Sequence, residues 1–255
     1  MSSIGIAVVV GATGEMGQVI VRRLCRTGLK VIAVARSAQQ LDLLVENAAP
    51  ESEGTIVPCV CDIGSDDAID TISRAVDAPV RIVVHGPGVA TAGGVLVAPT
   101  KAITDAINVK VSGMLRLVRS VDHHLERGSR LVAIGGHYGF EPTSYAATAG
   151  VANAALSNLM RQYSWAYGDR GITSHLIAPG PADTDRLRRV AEARAERDGI
   201  SVDQVLQEMR SESAINSFTT VEQIAWAVET LLAPEADALA GGTLFMDAGR
   251  RKGLP

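Results

Sequence analysis

The chain has 255 residues, 47% of them hydrophobic, with a net charge of -4 and a pI near 5.8. That length and apolar content suit one α/β domain with a large core, and the lack of any basic run or aromatic-interleaved basic patch excludes nucleic acid as the expected partner. No apolar run approaches the roughly 18 residues that span a bilayer, and the apolar start at 4–10 lacks a basic leader, so a cytoplasmic protein away from the membrane, acting on a small molecule, is expected.

The first predicted element is a strand at 4–10, running into Gly11-Ala12-Thr13-Gly14-Glu15-Met16-Gly17 and then a helix at 18–27. Glycines permit a tight turn and close backbone approach, while the helix end offers free N–H groups and partial positive charge. Gly11, Thr13, Gly14, Glu15, Met16 and Gly17 are therefore expected to seat the diphosphate of a dinucleotide. The second strand, 30–35, leads into Arg36-Ser37, where an NAD-binding chain would place an acid for the ribose hydroxyls. Arg36 suits a 2′-phosphate instead, so NADP(H) is expected over NAD(H); the other reading of Arg36 is an exposed strand-end arginine.

Further Val/Ile-rich runs stand at 55–61, 81–85, 130–135, 172–178 and 243–246, with helical periodicity between most of them. Buried parallel strands read as continuous apolar runs, so seven strands and about six helices predict a Rossmann-type doubly wound parallel sheet in one domain, 1–255. Cys59 and Cys61 lie two apart on a strand; with no cluster of His ligands, all three cysteines are expected as buried thiols and no metal site is expected. The segment 183–213 is charged and helical in pattern, with Ser201 and Gln204 spaced as a capping box. It reads either as a solvated helix pair or as a lid over the substrate, with Leu187, Val190 and Met209 among its charges.

In sequence order these features resemble the short-chain dehydrogenase/reductases over nearly the whole chain. Cys61-Asp62-Ile63 resembles the family's adenine-binding segment, implying adenine contacts at Asp62 and Ile63. Val84-His85-Gly86-Pro87-Gly88-Val89 stands where the family has Asn-Asn-Ala-Gly, implying that Gly86 and Gly88 border the cofactor and that His85 lies near its phosphates or ribose. Asn108 matches the helix asparagine that supports a relay water, and Pro179, Gly180 and Thr184 match the segment around the nicotinamide. Gly241 to Gly249 resembles the last strand and its turn. The resemblance implies an NADP-dependent oxidoreductase acting on a small carbonyl or alcohol, and a homodimer or homotetramer joined through the helices of Asn108 and Tyr145.

The catalytic positions depart from the family pattern. Tyr145 aligns with the acid–base tyrosine, but Ala149 stands at the lysine position and Gly135-Gly136 where the serine is expected; the 139–145 loop is also shorter. His137, with an ordinary pKa near neutrality, is expected either as a substitute proton donor or as a solvated loop histidine. Lys110, two residues beyond Asn108, is expected to point away from the site. Two functions follow: a reductase with a non-standard site, or a non-redox descendant serving as dinucleotide-binding scaffold or sensor, or as lyase or isomerase.

Overall fold

Successive side chains of a strand face opposite ways, and the first strand shows what this chain does with both faces. In β1 (Ile6–Val10) every residue is buried; Ala7 and Val9 enter one core, while Ile6, Val8 and Val10 enter another. A strand buried on both faces belongs inside a sheet layered by helices. The computed structural model describes residues 5–48, 53–89 and 93–253; Ile4, where the predicted first strand begins, lies outside them.

The remaining strands are β2 (Lys30–Ala35), β3 (Thr55–Val60), β4 (Val80–His85), β5 (Leu125–Ile134), β6 (Thr173–Pro179) and β7 (Thr243–Met246). They form one sheet in the order β3-β2-β1-β4-β5-β6-β7, all pairs parallel, as the Rossmann-type reading expects. Helices α1 (Glu15–Arg26), α2 (Ala38–Glu46), α3 (Asp67–Ala75), α4 (Thr100–Ile107), α5 (Gly113–Val121), α6 (Ala147–Tyr167), α7 (Asp185–Asp198), α8 (Val202–Ser211) and α9 (Val221–Thr230) complete it. Leu24 of α1, Leu41 of α2 and Val228 of α9 pack one face, and Ile72 of α3, Leu117 of α5 and Met160 of α6 pack the other. These are nine helices where about six were expected. Among the described residues the surplus of three has two sources: α4 and α5 are separated by a π-helical turn at Asn108–Ser112, and the β6–β7 connection carries three helices, with α7 ended by Gly199 at φ 67° before α8 and α9.

Strand order reverses between β1 and β4, both of which end toward the glycine loop. A crevice outside the carboxyl ends of the strands is where open α/β sheets take their ligands. No helix among the described residues is long and apolar enough to cross a membrane.

Candidate active site

The glycine loop is built on backbone contacts that leave no room for a side chain at Gly11 or Gly17. Gly11 has φ +82°, and a Cβ on Gly17 would lie 2.1 Å from the Gly11 carbonyl oxygen. Gly14 is the N-cap of α1 at φ -73°, with no side chain capping the helix, so the first N–H groups of α1 face outward. This cradle fits a diphosphate: its donors are backbone, its walls are glycine, and the helix end carries partial positive charge.

A cavity of about 310 Å³ continues from the loop and is lined by Thr13, Arg36, Asp62, Ile63, Gly86 and Gly88 among others. Arg36 thus reaches the pocket that the strand-end position predicts, and Asp62 turns its carboxylate onto the Gly64 N–H at 2.9 Å. Cys61 also lines this cavity and is only partly buried, unlike Cys25 and Cys59, which corrects the expectation of three buried thiols. Glu15 serves differently: its carboxylate accepts the backbone N–H of Asp185 at 3.0 Å, joining the loop to the first turn of α7.

Past Gly86 to Val89, which border both spaces, lies a second cavity of about 360 Å³. Met16, Pro179, Gly180 and Thr184 line it, as do Tyr138, Tyr145 and His137. Thr184 caps α7 by accepting the Leu187 N–H. Leu187, Val190 and Met209 from α7 and α8 form its outer wall, and Ser201 and Gln204 make the expected capping box of α8.

Several expected residues stand otherwise than the sequence suggests. Helix α6 starts at Ala147, with Ala146 as N-cap, so Tyr145 precedes the helix and no i,i+4 stack links it to position 149. Tyr145 is 60% exposed, with its hydroxyl 3.3 Å from that of Tyr138. Burial and that hydrogen bond raise the Tyr138 phenol above its ordinary pKa. His137 is neither solvated nor near-neutral: it is buried, its ring bonds the Pro179 carbonyl, and burial, then Arg250, push its pKa down to about 4. At neutral pH it is an uncharged imidazole with a buried Nε2 that has no partner, and it cannot act as a cationic acid.

Asn108 donates through Nδ2 to the Gly64 carbonyl at 3.0 Å and accepts at Oδ1 from Arg116, also at 3.0 Å. Its side chain is therefore committed away from the second cavity. His85, expected near the cofactor, is buried beneath the π-helical turn, with Nε2 3.0 Å from the Val109 carbonyl, and burial, then Lys110, lower its pKa to about 3. Neither Asn108 nor His85 is among the residues that line the two cavities.

Lys110 reverses its expectation most fully. The backbone N–H of Gly113 bonds the Asn108 carbonyl, an i→i+5 turn that takes one residue more than an α-helical turn. Lys110 still faces away from Asn108, as a step of two residues requires; it is Asn108 that turns to Gly64 and Arg116, so the face carrying Lys110 is the one at the second cavity. Lys110 is buried, lines the second cavity and donates to the Ile134 carbonyl at 2.9 Å, immediately before Gly135.

Three further cavity residues escaped the sequence reading. Asn153 lies one helical turn beyond Ala149 on α6, and its Nδ2 is 2.8 Å from where a Cβ on Gly136 would stand; the amide fills the room a serine there would take. Thr148 is buried and faces the same space. Arg186, two residues past Thr184, borders the space from α7. The i+4 step from Ala149 would have found Asn153; nothing local marks the others.

A family model described as enoyl-(acyl carrier protein) reductase matches residues 11–251. The chain is 27% identical to the short-chain reductase protein NovJ of Streptomyces niveus, over 98% of this chain and 95% of that one. It is 26% identical to the 3-oxoacyl-[acyl-carrier-protein] reductase FabG of Escherichia coli K12, with 96% of each covered. Among solved structures, the L-sorbose reductase of Gluconobacter frateurii complexed with NADPH and L-sorbose superposes with a TM-score of 0.89 at 19% identity, covering 98% of this chain and 99% of the other.

Proposed function

The chain belongs to the short-chain dehydrogenase/reductase family of oxidoreductases, and from that membership we propose that it is an NADP(H)-dependent reductase of small carbonyl compounds whose site dispenses with the usual serine and lysine. The observation that carries this reading is the pair of adjoining cavities: one runs from the glycine cradle to Arg36, the other opens beneath α7 and α8. Relatives named as reductases, one of them a structure holding NADPH, support it.

In this reading the cofactor supplies hydride when bound, and this chain's residues do the placing. The loop from Gly11 to Gly17 holds the diphosphate through backbone N–H groups. Arg36 meets the 2′-phosphate, Asp62 and Ile63 border the adenine, and Gly86 and Gly88 line the passage between the cavities. Pro179, Gly180 and Thr184 frame the nicotinamide end, and Tyr145 stands at the mouth with Tyr138 behind it. Helices α7 and α8, spanning the expected 183–213 segment, act as the cover: Leu187, Val190 and Met209 turn apolar surface inward and exclude water from the reacting carbon.

NADPH oxidation followed by absorbance against a carbonyl panel tests the reading. Arg36→Asp is expected to weaken NADPH binding about 10- to 100-fold, the worth of one charged hydrogen-bonding partner, while NADH binding holds or improves. Equal loss of both cofactors would remove Arg36 as the phosphate selector. The vacancies at Gly136 and Ala149 favour a second reading, a non-redox descendant that binds the dinucleotide without turning it over; NADPH binding with no oxidation across carbonyls and alcohols would select it.

The same proposal includes a homo-oligomer assembled across α5 and α6. On α6, Trp165 is 82% and Val151 47% exposed, apolar area that a partner copy would cover. Sedimentation velocity is expected to give at least twice the 26.7 kDa of one chain; a monomer at micromolar concentration would contradict it.

A further inference from the structure

We propose that Lys110 is the proton donor at the substrate oxygen, a catalytic cation that reaches the cavity from the π-helical turn rather than from α6. This rests on the reductase reading above. An ammonium has three N–H donors, and Lys110 spends one on the Ile134 carbonyl. Lys110 lines the cavity together with Gly135, Gly136, Thr148 and Asn153. No Asp or Glu lines that cavity among the described residues, so the ammonium has no counter-ion there.

The groups facing Lys110 come from every neighbouring element. Arg186 stands on α7; His85 on β4 is neutral; His137, Tyr138 and Tyr145 follow β5; Thr148 and Asn153 on α6 carry no charge. Burial, then Arg186, lower the Lys110 pKa to about 8, close to the value at which an acid both holds its proton at neutral pH and releases it readily. The other candidates are weaker donors. His137 is already deprotonated at neutral pH, Tyr138 is raised above its ordinary phenol value, and Tyr145 stands mostly in solvent.

The step balances as follows. As the carbonyl carbon accepts hydride from NADPH, the π pair of the C=O bond moves to oxygen. That oxygen forms an O–H bond with a proton from Lys110 Nζ, whose N–H bond breaks, leaving a neutral amine that water at the cavity mouth reprotonates. The product is the alcohol, and the oxidised cofactor carries away the positive charge.

The test compares wild type with Lys110→Met, which keeps length and loses charge, and Lys110→Arg, which keeps charge and does not release its proton. Full-length protein is followed by NADPH oxidation from pH 6 to 10, by NADPH fluorescence for binding, and by 1H–13C spectra of lysine-labelled chain, which carries only Lys30, Lys101, Lys110 and Lys252. The expected wild-type rate falls along an alkaline limb near pH 8, matched by one lysine Cε resonance that titrates there and is missing from Lys110→Met. Lys110→Met should lose at least ~100-fold in kcat, with NADPH binding and thermal midpoint little changed, and Lys110→Arg should lack the limb at pH 8.

Turnover by Lys110→Met within threefold of wild type, or four lysines all titrating near 10, overturns the proposal. Should Lys110→Met fail to fold, the arginine variant and the lysine titration decide it. A wild-type chain that neither binds nor oxidises NADPH removes the reductase reading and this proposal with it, whereas turnover surviving in Lys110→Met removes Lys110 alone.

Discussion

Gly14→Val is expected to leave the protein folded and to weaken NADPH binding by about a hundredfold. Gly14 sits at φ -73° and ψ 160°, a conformation open to any residue, and a Cβ there has only the Gly11 carbonyl oxygen near it, at 3.4 Å. The added isopropyl group therefore costs the fold little. It does occupy the cradle in front of the first N–H groups of α1, and losing two charge-assisted hydrogen bonds there is worth about 3 kcal/mol, or roughly two orders of magnitude in Kd. Gly17→Ala is the contrasting case: its Cβ would meet the Gly11 carbonyl at 2.1 Å, so stability and binding fall together. Fluorescence titration with NADPH beside urea unfolding separates the two. If Gly14→Val bound NADPH like wild type, the loop would not be a diphosphate seat.

Acid is expected to unfold the chain before pH 4. Three histidines are buried and held neutral: His85 with a pKa of about 3, from burial and then Lys110, His137 at about 4, from burial and then Arg250, and His175 at about 4, from burial and then Arg130. Arg130 is itself buried and bonds Thr173 Oγ1 at 2.9 Å, which in turn lies 2.7 Å from His175 Nε2. Asp237 pairs with Arg130 at 2.6 Å, yet burial and then the Arg130 charge still disfavour a proton on His175. Between these folded values and the ordinary 6.5, the unfolded chain binds more protons than the folded one, so stability is fully present above about pH 6.5 and is lost as pH falls toward 4. Each histidine contributes on the order of 3 kcal/mol over that window, against a typical total of 5–15 kcal/mol for a folded domain. Urea midpoints measured from pH 7.5 to 4.5 should fall steeply below 6; a flat profile would mean that the buried rings accept protons without penalty.

The parts of the site that a sequence displays are those whose chemistry is local. The glycine cradle is a run of seven residues leading from one strand into the first turn of one helix, and Arg36 directly follows the very next strand, so both positions follow from adjacency in the chain. The Pro179-Gly180 turn and Thr184 are legible for the same reason. His137 is different, because what holds it neutral is burial, and then the Arg250 guanidinium, both supplied by packing between distant parts of the chain. Tyr145 and Ala149 mislead for a reason of geometry: their spacing of four has meaning only on a helix, and the helix begins two residues after the tyrosine. Nine helices among the described residues in place of about six likewise reflect interruptions that periodicity averages over.

The π-helical turn at Asn108–Ser112 bears on how function is inherited in such chains. Comparing relatives column by column asks whether one residue type stands at one place on one helix. A cavity asks only whether a positive charge arrives at a point in space, whichever helix brings it. Lys110, on that turn, reaches the second cavity while position 149 holds alanine, so under the role proposed for Lys110 a catalytic set that looks eroded in an alignment is, in three dimensions, redistributed.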